Sequence, residues 1–296
     1  MTSQEHKKII LVTGGAGFVG SHLIERLVKD SNNRIISLDN YFTGSKENHI
    51  PGAEYREGHT KDIEKFVPET PDIIYHLGEY SRVRQSMDEP HLVWDLNTAG
   101  TCAVLEFWRK NKCKLVYAGS STKFTEARSD GTEGRNLAPY TWAKAANSEL
   151  VANYARWYNL PYVTVYFYNI YGPREITGAY GAIIGIFKQK YFEKKKFFVA
   201  SPGTQNRCFT HVDDTIAGIL LAAEKGEGDG YGIGAKECYS LLEVANMFGG
   251  EVEMTPQTKS TRSSSEVDST KIEALGWKPT KTLSGYIEEI KSQTKK

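Results

Sequence analysis

Four glycines fall within seven positions in LVTGGAGFVGSHL, residues 11–23, between an apolar run and a helix-like segment. Glycine inside a helix or strand costs stability, so such a cluster marks a place where the backbone must come closer to something than side chains would allow. A strand that feeds a glycine turn and then a helix aims free N–H groups, and the positive end of the helix, at an anion. Gly15, Gly17 and Gly20 fit GxGxxG, and Gly14, Gly17 and Gly20 fit GxxGxxG. Either spacing alone is weak, and its context strengthens it. KIILVTG has the continuous apolar character of a buried parallel strand, and SHLIERLVKD sets Leu23, Ile24, Leu27 and Val28 on one helical face. The next strand-like run, RIISLDN, ends in Asp39, at the remove where a dinucleotide-binding fold places an acid for the adenosine ribose. A tight turn without a ligand is the alternative reading.

Further along, strand-like and helix-like segments alternate. A short helix around DIEKFVPE precedes the strand DIIYHLG, and an amphipathic stretch over 91–111 precedes KLVYAGSS. A second long helix over 140–159 precedes YVTVYFYNIYG. Such alternation predicts an α/β fold, a Rossmann-type doubly wound parallel sheet. The rhythm breaks beyond Gly172. A division follows into a dinucleotide-binding domain over 1–171, with a return segment near 208–235, and a smaller α/β substrate lobe over 172–296 at the sheet's carboxyl edge.

The 296 residues carry a formal charge of +1, which gives no electrostatic case for nucleic acid or an anionic membrane. No apolar run approaches the roughly 18 residues of a membrane span, and the polar start MTSQEHKK lacks a signal peptide's apolar core, so a cytoplasmic protein is expected. Cys102, Cys113, Cys208 and Cys238 are far apart and show no metal-ligand spacing, so no metal and reduced thiols are expected.

The chemistry-bearing pair is Tyr140 and Lys144 in PYTWAKAANSEL, four apart at a helix start and so projecting from one face. A neighbouring ammonium and a cationic nicotinamide ring favour the phenolate, which makes the tyrosine a usable general base. The strand YAGSS, ending in hydroxyls, precedes the pair.

With these segments in order, TGGAGFVGSHL, LDN, HLGEYSRVRQS, DLNTAGT, YTWAK, YFYNIYGPR, GTQNRCFTHVDD and LGWKP, the chain resembles the extended short-chain dehydrogenase/reductase family, the nucleotide-sugar epimerases and dehydratases. The resemblance covers nearly the whole sequence. It implies NAD as cofactor, with Gly14, Gly17, Phe18, Val19 and Gly20 at the pyrophosphate, Asp39 and Asn40 at the adenosine ribose, Asp62 and Ile63 at the adenine, Leu77 near the ribose and Lys144 on the nicotinamide ribose. It implies Ser120, Tyr140 and Lys144 as the catalytic set. For a nucleoside-diphosphate sugar it implies Arg84, Asn97, Asn169 and Arg207, the last two on the diphosphate, with Arg262 as a further phosphate contact. His211 and Asp213 read as a structural helix start.

The branches of the family differ after the shared oxidation. A 4,6-dehydratase needs extra acid/base groups, and in that branch Asp and Glu follow the catalytic hydroxyl. Here those positions are Ser121 and Thr122, which cannot act as proton reservoirs near neutrality. Glu126 and Glu133 in the following loop keep the dehydratase reading open. Glu79 and Tyr80 replace small residues and stand either for acid/base work, for reading a sugar substituent, or for a strand-end hydrogen-bond pair. The sequence therefore favours an NAD-dependent nucleotide-sugar 4-epimerase, with dehydratase, 4-dehydrogenase and non-catalytic NAD-binding regulator as alternatives. Trp94, Trp108, Tyr154 and Trp157 on the two long helices suit a homodimer.

Overall fold

The computed structural model describes residues 7–124, 134–256 and 267–293. Strands β1 (Lys8–Thr13), β2 (Asn33–Asp39), β3 (Ala53–Glu57), β4 (Ile73–His76), β5 (Lys114–Ser120) and β6 (Tyr162–Phe167), with a last strand at Gly228–Ile233, form one sheet. Its order is Gly228–Ile233, β6, β5, β4, β1, β2, β3. Every pairing is parallel, with Thr13 opposite both Leu38 and His76. The chain thus starts in mid-sheet, winds to β3, returns to β4 and proceeds outward. The reversal between β1 and β4 is the crevice where such sheets take their ligands.

Both faces of the sheet are covered, which is why its strands read as apolar runs rather than as alternations. Ile10 and Val12 point to one side, into a core with Leu23, Ile24, Val163, Ile216 and Ile219. Leu11 points to the other, into a core with Ile36, Leu105, Trp108, Tyr117 and Val151. Trp108 is fully buried there and donates its indole N–H to Cys113 O at 2.8 Å, so it is core and not part of an outer surface. Trp94 and Trp157 are exposed.

The amphipathic stretch predicted over 91–111 is a helical run from Pro90 to Asn111 interrupted by a π segment, Trp94–Ala99. Pro139 at the first position starts the second long helix, Pro139–Tyr158, while the Thr141 hydroxyl accepts from the Ala138 N–H at 2.9 Å. Asn159, left-handed at φ 51°, ends it.

Beyond β6, helices Ile183–Phe192, Leu241–Phe248 and Leu283–Gln293 enclose a separate core of Phe187, Phe197, Phe248 and Ile287. Strand pairs Phe197–Ala200 with Val252–Thr255 and Asn206–Cys208 with Cys238–Ser240 complete this part. The second pair corrects the expectation of reduced thiols. Cys208 and Cys238 stand directly opposite on antiparallel strands and are joined in a disulfide, although 30 residues separate them in sequence. Sequence distance hid a contact that strand pairing creates, and the cysteines cease to argue for a reducing compartment. Cys102 and Cys113 are free. Among the described residues no helix is long and apolar enough to cross a membrane.

Candidate active site

The carboxyl ends of β1, β2, β4 and β5 open into a cavity of about 500 Å³. Gly14, Gly17, Phe18, Val19 and Gly20 line one end, with Asp39, Asn40 and Leu77. Gly14 adopts φ +73°, and a Cβ there would come within 2.7 Å of Gly78 Cα; one at Gly20 would lie 2.1 Å from Gly14 O. These contacts pack the turn against itself at the start of the Phe18–Leu27 helix, which carries no side-chain cap at its N-terminus. Asp39 is fixed by two backbone donors, Ala16 N at 2.9 Å and Tyr41 N at 2.8 Å. Burial nevertheless holds its carboxyl above the usual range. A close-packed glycine turn at an uncapped helix start, beside a fixed acid, fits a dinucleotide pyrophosphate and its adenosine ribose.

Two adenine positions expected from sequence fall elsewhere. Asp62 is exposed and Ile63 is buried in the core, and the cavity wall on that side is Gly58 and Thr60.

Ser120, Tyr140 and Lys144 converge on the same cavity from the end of β5 and the first turns of the Pro139–Tyr158 helix. All three are buried. Ser121 and Thr122 line the wall beside them, with the Ser120 and Thr122 hydroxyls 2.9 Å apart. The Tyr140 N–H donates to Ser86 Oγ at 3.3 Å, and the Lys144 ammonium lies over the Tyr117 ring, 4.8 Å from its centre.

Lys144 is not a lone ammonium. It donates to Glu79 Oε2 and to Ala118 O. Glu79 Oε1 in turn accepts from Asn147 Nδ2 at 2.8 Å, Thr101 Oγ1 at 2.9 Å and Tyr117 OH at 3.2 Å. Burial acts to raise this carboxyl, but the Lys144 charge and the hydrogen bonds from Lys144 and Thr101 outweigh it and hold it below the ordinary value. Since the Thr101 proton is given to Glu79, His76 Nε2 must donate to Thr101 Oγ1, 3.0 Å away, and Nδ1 must accept from Thr13 Oγ1 at 2.7 Å. Burial lowers the His76 pKa to about 4, so the ring is neutral. Of the readings open for Glu79, the structure supports a buried partner for the lysine. Tyr80 is buried as well, its hydroxyl on Glu89 Oε2 at 3.3 Å.

The sugar-nucleotide positions divide. Asn169, left-handed at φ 34°, and Arg207 line the cavity. Asn169 Nδ2 donates to Cys208 O at 2.9 Å, and Arg207 Nη1 to Asn206 O at 2.7 Å. Arg84 does not line it: the side chain is exposed ahead of the Gln85–Met87 turn. Asn97 is fully buried in the π segment, where its amide exchanges hydrogen bonds with both backbone groups of Tyr80, at 2.6 and 3.0 Å. It braces the Glu79–Tyr80 turn and does not reach the cavity. Arg262, Glu126 and Glu133 lie outside the described residues. His211 is a helix start, its ring accepting from Asp213 N at 3.1 Å.

Two charged wall residues carry no signal in the sequence, Arg82 and Glu175. Arg82 sits two positions before Arg84, and only the path of the loop decides which one turns inward. Glu175 directly follows YFYNIYGPR, and its place over the Ile183–Phe192 helix has no local signature.

The model for the NAD dependent epimerase/dehydratase family matches residues 10–234. The chain belongs to that family. A Methanocaldococcus jannaschii protein provisionally named UDP-glucose 4-epimerase is 30% identical over 95% of this chain and 97% of its own length. A UDP-N-acetyl-alpha-D-glucosaminuronate decarboxylase of Bacillus cytotoxicus is also 30% identical, over 81% of this chain and 78% of its own. The crystal structure of a Thermotoga maritima UDP-glucose 4-epimerase with UDP-glucose superimposes with a TM-score of 0.89 at 26% identity, covering 97% of this chain and all of that one. The protein is thus an NAD-dependent enzyme of the nucleotide-sugar epimerase/dehydratase family with its Rossmann-type fold. Its relatives include both epimerases and decarboxylases.

Proposed function

We propose that this family member is a nucleotide-sugar 4-epimerase. NAD supplies the acceptor that makes a sugar hydroxyl oxidisable. Tyr140 takes the proton of the C4 hydroxyl and later returns it, and Ser120 hydrogen-bonds the reacting oxygen. Lys144, anchored on Glu79 and Ala118 O, sets the tyrosine's surroundings and the cofactor's ribose. Asn169 and Arg207 hold the diphosphate, a role suited to amide and guanidinium donors. The sugar, oxidised at C4, turns over and is reduced from its other face.

The observation that carries the choice of epimerisation is the wall after Ser120, where Ser121 and Thr122 stand in place of a dehydratase's two carboxyls. Glu79, which could have replaced them, is committed to Lys144. The dehydratase reading keeps one specific support, Glu175, whose carboxyl burial pushes up to about 7. We further propose a homodimer, supported by exposed Trp94, Trp142 and Trp157 on the two long helical runs. A monomeric mass in light scattering at micromolar concentration would defeat it.

The deciding experiment incubates the enzyme and NAD with UDP-, GDP- and dTDP-sugars and follows product mass together with nicotinamide absorbance. Isomerised sugar of unchanged mass is expected. Loss of water makes it a dehydratase, and accumulating NADH makes it a dehydrogenase.

A further inference from the structure

The sugar end of the cavity holds two charged side chains that neither cofactor binding nor proton transfer by Tyr140 requires, Arg82 and Glu175. Arg82 is held by backbone and hydroxyl oxygens. Its Nε donates to Tyr180 O, and its Nη1 to Ser81 O and Oγ at 2.9 and 3.0 Å. Nη2 is left without a partner among the described residues, and none of their carboxylates comes within 4.0 Å of the guanidinium. Burial lowers its pKa, and Tyr140, then Glu175, are the groups that act on it next most strongly. Lys144, the other cation near Tyr140, is already answered by Glu79.

A half-buried guanidinium with an open edge and, among the described residues, no carboxylate within 4.0 Å is poised to take an anion. The group that matches its planar fork is a carboxylate. In a hexose whose C4 hydroxyl faces Tyr140, the exocyclic C6 is the nearest carbon that carries a carboxylate when oxidised. A neutral hydroxymethyl or acetamido group would leave the charge uncompensated.

Glu175 flanks this position, and its Oε1 is buried with no hydrogen-bond partner among the described residues. Its carboxyl lies over the first turn of the Ile183–Phe192 helix, where a Cβ at Gly185 would come 3.1 Å from Glu175 Cδ. Burial pushes its carboxyl up to about 7, so its neutral form is available to donate a hydrogen bond to an incoming anion instead of repelling it.

We propose that Arg82, flanked by Glu175, is a carboxylate-reading subsite, and that the preferred substrate is a nucleoside-diphosphate uronic acid and not a neutral hexose. The proposal rests on the nucleotide-sugar reading above and narrows it.

The test titrates the NAD-supplemented enzyme by calorimetry with UDP, UDP-glucose and UDP-glucuronic acid, then measures kcat/KM on the two sugars. The uronate is expected to be preferred in both, and R82Q is expected to cut that preference by about 100-fold. R82K, which keeps the charge without the fork, should fall between; it also serves if R82Q does not fold. A uronate product of unchanged mass or one that has lost carbon dioxide supports the subsite equally. Binding of UDP and UDP-glucose without a uronate preference overturns the subsite alone, as does an R82Q that weakens both sugars alike. Binding of none of the three overturns the nucleotide-sugar reading as well.

Discussion

The two ends of the cavity are built in opposite ways. At the cofactor end the glycine cradle is one continuous segment, β1 through the glycine turn into the next helix, and there the backbone is the instrument, with Asp39, Asn40 and Leu77 set beside it. The sugar end is assembled from side chains on the segment after β4, the end of β5, the start of the Pro139–Tyr158 helix and the loop after Tyr171. A surface made by one segment is fixed by short-range geometry. A surface made by four depends on how charges from distant parts of the chain settle against one another, as Glu79 and Lys144 do across 65 residues.

The largest effect that would test this contrast is at the assembled end. Tyr140→Phe should reduce turnover about 10³-fold or more while the NAD dissociation constant stays within twofold; equal activity would remove the proposed base. Glu79→Ala should come next. Both partners of this pair are shielded from water, at 3% and 6% side-chain exposure, so an unpaired ammonium is left behind. The expected loss is about 3–5 kcal/mol of unfolding free energy, with Glu79→Gln retaining part of it. A loss under about 1 kcal/mol in denaturant melts would mean that water replaces the carboxylate.

Gly20→Ala probes the backbone end, since its new Cβ would fall 2.1 Å from Gly14 O. We expect a cost of about 2–3 kcal/mol, read as weaker NAD binding with UDP affinity little changed. If UDP binding weakened equally, the two ends would be one cooperative unit.

The smallest effect is the pH dependence of stability from Glu175. Its carboxyl is raised from 4.5 to about 7 in the folded protein. Between those values the folded state holds a proton that the unfolded chain has released, so this stability is fully present below the unfolded pKa and is lost as pH rises through the folded one. Melts of the wild type and Glu175→Gln from pH 4 to 8 should diverge by on the order of 2 kcal/mol. Parallel curves would show that Glu175 is solvated.

Much of the architecture was legible because each strand–helix unit announces itself locally. Apolar runs mark strands buried on both faces, and Pro139 and Asn159 bracket the long helix. The glycine turn, Asp39, Ser120, Tyr140 and Lys144 were legible for the same reason, since each sits at a fixed offset from an element boundary. Arg82 and not Arg84 lines the wall, and residues two apart in an irregular loop cannot be ranked without its path. The resemblance implies Asn97 as a substrate contact, but the π segment turns it onto the Tyr80 backbone. The Cys208–Cys238 bond was invisible because the strand pairing that creates it belongs to the fold and not to the spacing.

The sequence by itself determined the parallel sheet, the cofactor cradle and the tyrosine–lysine pair, since these follow from periodicity and from backbone freedom over a few residues. Only the tertiary structure decided that Lys144 is paired with Glu79, that Arg82 has no carboxylate within 4.0 Å among the described residues, and that the Glu175 carboxyl is buried. Those are consequences of which charges lose their water together, and desolvation is a property of the packed chain.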